Sequence, residues 1–274
     1  MKNWNLQLKL GVFILAIFFI LGVIVPLFYS GNPIEWGKYP KNLKPSTAHF
    51  FGTTNLGQDT FWVLLKSIQN SFFIGLLVAF FATLIGVFMG MLSGFRGGAF
   101  DRVITLLMDT FIVIPLLPIL ILLGGLLKGR ASILSISLVL IMFNWPWPAR
   151  QVRAMALTLR ERDFIDTALF SGESTLKIII KEIFPFVTSW SLANFINTIL
   201  VAIRTESGLA VIGMSSNEQA TLGTMIYWAN QHQAMMAGRW WWICSPVVAI
   251  TFIFISLFLI LSGAQKYSAL RRGK

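Results

Sequence analysis

Residues able to carry chemistry are few in this chain and do not gather. His49 and His232 are its two histidines and Cys244 its one cysteine, so no disulfide closes within the chain and no Cys-based metal pattern can form. A catalytic nucleophile needs an activating base within reach, and no cluster of His, Asp, Glu and Ser supplies one. Asp109 stands in an apolar run, where a charge costs roughly 2.5–3.5 kcal/mol and must face a cavity or a partner. It is the one deep acid in this reading; a proton or cation relay is one role for it, and a structural contact near Asp101 and Arg102 is the favoured one. The regular polar pattern lies between Arg162 and Pro185. There Phe164, Ile165, Ala168 and Leu169 share a helical face, while Asp163, Asp166 and Thr167 point away. Gly172 permits a left-handed turn. Ser174 then caps a second helix with Leu176, Ile179, Ile180, Ile183 and Phe184 on one face, which meets Pro185 at its end. The chemistry of this segment is mechanical: it is a handle by which something outside the membrane moves the protein, or else a pair of helices lying flat on the membrane surface.

The elements that position it are set by composition. Of 274 residues, 56% are hydrophobic and 12% charged, with a mean hydropathy of +0.74, which excludes a soluble globular domain. About 20 apolar residues cross a bilayer core, and runs of that kind lie near residues 9–29, 72–95, 103–127, 132–149, 185–213 and 241–263. The expectation is an all-α integral membrane protein with six transmembrane helices. A first helix and outer segment occupy 1–71, and a five-helix core with an inner loop at 150–184 occupies 72–274. The first run has the charge of a signal peptide but a spanning length, and Val25 to Tyr29 lack a small-x-small cleavage pattern, so it reads as uncleaved. No Walker-type phosphate loop is present, so an energy source must come from a partner.

The net charge of +11 is a matter of topology rather than of nucleic acid. Of the 22 Lys and Arg, fourteen fall on the side that holds both termini and eight on the other, a bias that places the termini in the cytoplasm. The long outer segment 30–71 is broken by Gly31, Pro33, Pro40 and Pro45. Pro115 and Pro118 break the third span, which makes that helix a wall of a translocation route. Trp240, Trp241 and Trp242 fit an interfacial aromatic belt. In the outer loop 215–233, Asn217 and Gln219 with Tyr227 and Trp228 offer neutral donors, acceptors and ring faces for a ligand or a partner.

The segment at 166–185 resembles the EAA motif of importer-type ABC transporter permeases: acidic Asp166, small Thr167 and Ala168, Gly172, and Pro185 after the spacer. The family has Glu and Ala where Asp166 and Thr167 stand. Gly52 to Asp59, Gly94 to Asp101, Asp109 with Pro115, Trp145 to Arg150 with Arg153, and Trp240 to Trp242 with Pro246 are similar, in order and spacing, to dipeptide/oligopeptide-type permeases. The fit is to the member of the permease pair with the short first outer loop. The resemblance implies that Asp163, Phe164, Asp166, Thr167, Ala168, Leu169, Gly172 and Pro185 form a coupling helix seated on an ATPase. It implies a second permease, two cytoplasmic ATPases that carry ATP and Mg2+, and an extracytoplasmic binding protein, with no cofactor on this chain. Asp109, Pro115, Pro118 and the outer-loop residues are then candidates for the substrate path.

Thr54 and Gln58 stand where the family usually has Asp and Arg, a loss of charge that tilts the ligand toward neutral. Oligopeptides remain the first expectation and oligosaccharides the second. An ion-coupled secondary transporter needs ionisable groups on paired broken helices and no inverted repeat is evident, while a channel would leave the 162–185 pattern unexplained.

Overall fold

The computed structural model describes residues 5–127, 132–213, 215 and 219–272. Most of them are helical, residues 29–59 being turns and irregular backbone, and the only bridge between extended segments among them is an isolated one from Thr53 to Asp59. In chain order the helices are α1 (Leu6–Phe28), α2 (Thr60–Arg96), α3 (Gly98–Val113), α4 (Leu116–Leu127), α5 (Ile133–Asn144), α6 (Pro146–Arg160), α7 (Asp163–Phe170), α8 (Thr175–Val211), α9 (Leu222–Gln231) and α10 (Trp240–Arg272). Four of them, α1, α2, α8 and α10, are long and apolar enough to cross a membrane, and α3 with α4 makes a fifth if the pair is one broken span. The stretch 132–149, expected as the fourth crossing, holds the twelve-residue α5 and, beyond a break at Trp145, the start of α6.

Several expected boundaries shift for physical reasons. The second span begins twelve residues before 72, at Thr60, because Asp59 accepts hydrogen bonds from the N–H groups of Phe61 and Trp62 and starts the helix there. Polar residues that read as loop are used inside this extension: Asn70 donates to the Ala220 carbonyl at 2.7 Å, and Ser71 accepts from the Leu222 N–H at 3.1 Å. The expected outer loop 215–233 contains α9, started by a Thr221–Thr224 capping box. Pro115 breaks the third span as expected, since α3 ends at Val113 and Ile114 is extended. Pro118 does not break it; it lies in the first turn of α4, where no helical N–H is lost.

Two prolines follow widened turns. In α1 a π turn at Ile20–Ile24 closes two residues before Pro26, and in α8 a π turn at Ile179–Ile183 closes two residues before Pro185. A proline has no N–H to give and crowds the carbonyl one turn back, and a wider turn relieves both. The helix that ends at Pro185 in the sequence reading therefore continues without interruption from Thr175 to Val211.

The described chain forms two compact units. The first comprises Met1–Gly75, Leu117–Ile136 and Leu200–Lys274. In it α1 lies against α10 so closely that a Cβ on Gly11 would stand 2.8 Å from the Ser256 carbonyl oxygen, the small-residue approach that membrane helices use in place of a hydrophobic drive. The second comprises Leu76–Leu116 and Ser137–Ile199. Here Gly86, Gly90 and Gly94 of α2 face α6, and a Cβ on each would come within 2.7, 2.5 and 2.6 Å of the carbonyl oxygens of Trp145, Ala149 and Arg153. Three glycines at helical spacing meet three carbonyls at the same spacing, which brings the two backbones into contact.

Candidate functional site

The 162–185 segment folds as the corner its residues predict. Arg162 is extended, α7 runs from Asp163 to Phe170, and Asp163 and Asp166 sit in its first turn, where the helix dipole favours negative charge. Gly172 follows with φ +73°. Its N–H donates to the Leu169 carbonyl at 3.0 Å and that of Glu173 to the Ala168 carbonyl at 3.2 Å, the two bonds of a Schellman C-cap. Ser174 occupies the N-cap position of α8, but its side chain makes no capping bond.

The faces differ in part from expectation. Ile165 is fully buried, with Phe164 and Ala168 packed around the same core, and Phe164 stacks on Phe186 with centroids 5.4 Å apart. Leu169, placed on that face by spacing, is 49% exposed, and Phe170 is 91% exposed. Asp163, Asp166 and Thr167 are exposed as expected. Over the first turns of α8, up to Phe184, Ile178, Ile179 and Ile183 are buried, while Leu176, Ile180 and Phe184 are exposed. The π turn adds a residue to the turn and so rotates the face away from where a 3.6-residue period puts it. Ile165, Ile178, Ile179 and Ile183 share one core with Val87 and Met91 of α2 and Val152 of α6. The short helix is thus keyed into a core shared with three longer ones.

Beside this core α3 and α6 are clamped by charge. Asp101 receives Arg153 through both carboxylate oxygens at 2.6 Å and also the Ser93 hydroxyl. Two turns further along α3, Asp109 forms an ion pair with Arg150. The structural-contact reading of Asp109 thus acquires a named partner.

The outer-loop candidates separate. Gln219 and Trp228 line one cavity of about 380 Å³ together with Gln58, whereas Tyr227 is not part of its wall; its ring packs 5.3 Å from that of Trp228 and against Gly213. Asn217 lies outside the described residues. Trp228, His232 and Trp242 stack in a column with centroid separations of 6.0 and 5.7 Å. His232 accepts from Asn55 at 3.1 Å, and burial, with Arg239 and Lys41 nearby, holds its pKa below the usual histidine value. Of the tryptophan run only Trp240 is exposed, at 56%; Trp241 and Trp242 are buried. Thr54 and Gln58 bind each other rather than facing outward: Thr54 donates to the Gln58 carboxamide oxygen at 3.4 Å, and Gln58 donates to the Ile34 carbonyl at 2.8 Å. A neutral pair at these two positions ties the start of the segment before α2 to its end.

Glu206 is a buried acid that no spacing pattern in the sequence marks. It is 1% exposed within α8 and accepts from Thr221 at 2.8 Å and Ser215 at 3.1 Å. The signal available was a lone Glu in an apolar run.

A family model described as binding-protein-dependent transport system inner membrane component matches residues 82–274. Among individual proteins, the oligopeptide transport system permease protein OppC of Lactococcus lactis subsp. cremoris is 27% identical over 261 residues, 94% of this chain and 88% of the relative. The dipeptide transport system permease protein DppC of Bacillus subtilis is 28% identical over 256 residues, 93% of this chain and 79% of its own. The OppC of Mycobacterium bovis is 34% identical over 183 residues, 66% of this chain and 63% of its own. Among solved structures, a chain of the inward-facing MetNI methionine ABC transporter superimposes with a TM-score of 0.58 at 17% identity, over 76% of this chain and 96% of that one. That likeness is one of fold.

Proposed function

The chain belongs to the family of binding-protein-dependent transport system inner membrane components, and on that premise we propose that it is the permease subunit of an ATP-driven importer of oligopeptides. It forms half of the translocation path and pairs with a second, homologous permease. Two cytoplasmic subunits bind ATP and Mg2+ and hydrolyse the nucleotide, and an extracytoplasmic binding protein delivers the substrate. Six crossings, with α5 among them and both termini in the cytoplasm, belong to this reading, as does a core from residue 72 onward. The names of the relatives that span most of this chain favour peptides over oligosaccharides.

The observation that carries the coupling role is the division of α7. Ile165 is fully buried, yet Leu169 and Phe170 at the end of the same helix are exposed. A bare aromatic on a rigidly capped helix is the kind of anchor that partner surfaces enclose. An ATPase gripping Phe170, Leu169, Asp166 and Thr167 would move α7 as a body. Ile165 would carry that displacement into the core it shares with α2, α6 and α8, biasing an equilibrium between two arrangements of the spans. Gly172 and Pro185 shape the corner and the entry to α8 through which the push passes. In this reading Pro115, beside the break between α3 and α4, lies on the path, and Asp109 stays with Arg150.

The test is co-purification of the ATPase subunits with a Leu169→Asp, Phe170→Asp double variant. Both residues are exposed, so insertion is retained and the ATPases are lost. Full ATPase stoichiometry in the double variant would show that this face does not dock them.

A further inference from the structure

The cavity of about 380 Å³ in the first unit has a composition that the coupling machinery does not use. Leu56, Val63 and Met225 give it an apolar floor, the rings of Trp36 and Trp228 meet edge to face at 5.9 Å, and Gln58 and Gln219 add carboxamides. None of the residues that line it is ionisable. Its volume lies toward the lower end of the roughly 300–1,000 Å³ of small-ligand pockets, enough for one or two amino-acid residues. Gln58 spends one N–H on the Ile34 carbonyl and accepts one long bond from Thr54, so a second N–H and a lone pair remain. That donor and acceptor match the N–H and C=O of a peptide unit. The aromatic edges and aliphatic floor match an uncharged side chain, and a charged side chain would be desolvated there without a counterion.

We propose that this cavity is a selectivity site for the transported peptide, which accepts an uncharged aromatic or aliphatic side chain with its backbone amide on Gln58. This rests on the importer reading above and on the segment 30–71 and the loop 215–233 facing outside. Charged side chains gain nothing from the site, so it shifts preference among peptides rather than enabling transport as such.

The test is uptake into proteoliposomes by the full assembly, with its binding protein, of Ala-Phe-Ala and of Ala-Lys-Ala, measured as kcat and KM. Val63→Phe fills the floor, and Trp36→Ala removes a wall residue that is 63% exposed, so at least the second variant folds. Both are expected to lower the preference for Ala-Phe-Ala over Ala-Lys-Ala by roughly three- to tenfold, the range of one lost aromatic contact, with Ala-Lys-Ala uptake unchanged. An equal fall for both peptides with weaker binding-protein association would assign the cavity to a loop of that protein and overturn the proposal. Unaltered preference in both variants would also overturn it while leaving the importer reading intact. Absence of any peptide uptake by the wild-type assembly would instead remove the importer reading and this site with it.

Discussion

Arg153 grips Asp101 with two nitrogens at once, Nε on one carboxylate oxygen and Nη2 on the other, each at 2.6 Å. The residues that look unrelated along the chain meet at this point. Gly94 of α2 faces the Arg153 carbonyl, Ser93 donates to Asp101, and Asp109 and Arg150 pair nearby. The segments at 94–101, 109 and 145–153 are one clamp built from three helices. Its side chains are largely shielded, at 27% and 15% exposure for Arg153 and Asp101, so truncating one leaves the other without its counterion. Arg153→Ala is expected to destabilise the protein by roughly 3 kcal/mol. Arg153→Lys should recover only part of this, because an ammonium cannot reproduce the two-pronged contact. Thermal unfolding in lipid nanodiscs measures both; equal stability of Arg153→Lys and wild type would show that the fork does not matter.

The glycine row on α2 gives a prediction whose sign is informative. Gly to Ala inside a helix ordinarily stabilises by roughly 0.5–1 kcal/mol. At Gly90 the new Cβ would sit 2.5 Å from the backbone oxygen of Ala149, whereas at Gly208 nothing lies within 4 Å. Gly90→Ala should therefore destabilise and Gly208→Ala should not. If both stabilise alike, α2 and α6 are not in backbone contact.

How much of this was legible depended on whether a residue's role is local. Gly172 announced a corner because a left-handed turn is a property of the residue itself, and α7 and the start of α8 followed. Leu169 was misplaced because periodicity assigns a face without saying what stands opposite. Ile180 and Phe184 were misplaced because the Ile179–Ile183 π turn breaks the period on which the reading relied. Asn70 and Ser71 read as loop because the backbone groups they serve, at Ala220 and Leu222, are about 150 residues away. The Thr54–Gln58 bond is local, but residue types alone show there only two missing charges and not that the two side chains bind each other.

Gly172 can be tested by a graded series. A Cβ there meets nothing within 4 Å, so the cost of a substitution is the backbone at φ +73° and not a clash. Asn tolerates this region, Ala resists it by roughly 1–2 kcal/mol, and a β-branched residue resists it more. Coupling, read as peptide taken up per ATP hydrolysed, should fall in the order Gly, Asn, Ala, Val, while membrane insertion is unchanged. Normal coupling in Gly172→Val would remove this corner from the mechanism.

His232 makes stability depend on pH. Its ring lies between those of Trp228 and Trp242, and Nδ1 accepts from the Asn55 amide, so the neutral ring carries its proton on Nε2. Protonation would put an N–H against the Asn55 donor in a partly buried site flanked by Arg239 and Lys41, and the pKa is lowered for those reasons, burial first. The unfolded chain, with an ordinary value near 6.5, therefore binds a proton before the folded one does. The stabilising contribution is complete above about pH 6.5 and is lost as pH falls below it toward the folded-state value. The expected outcome is a thermal midpoint that drops between pH 7.5 and 5.5 in the wild type. Replacing His232 by Phe keeps a ring between Trp228 and Trp242 but removes the titration, so its midpoint should fall less over the same interval. Parallel pH profiles for the two proteins would mean that another group carries the effect.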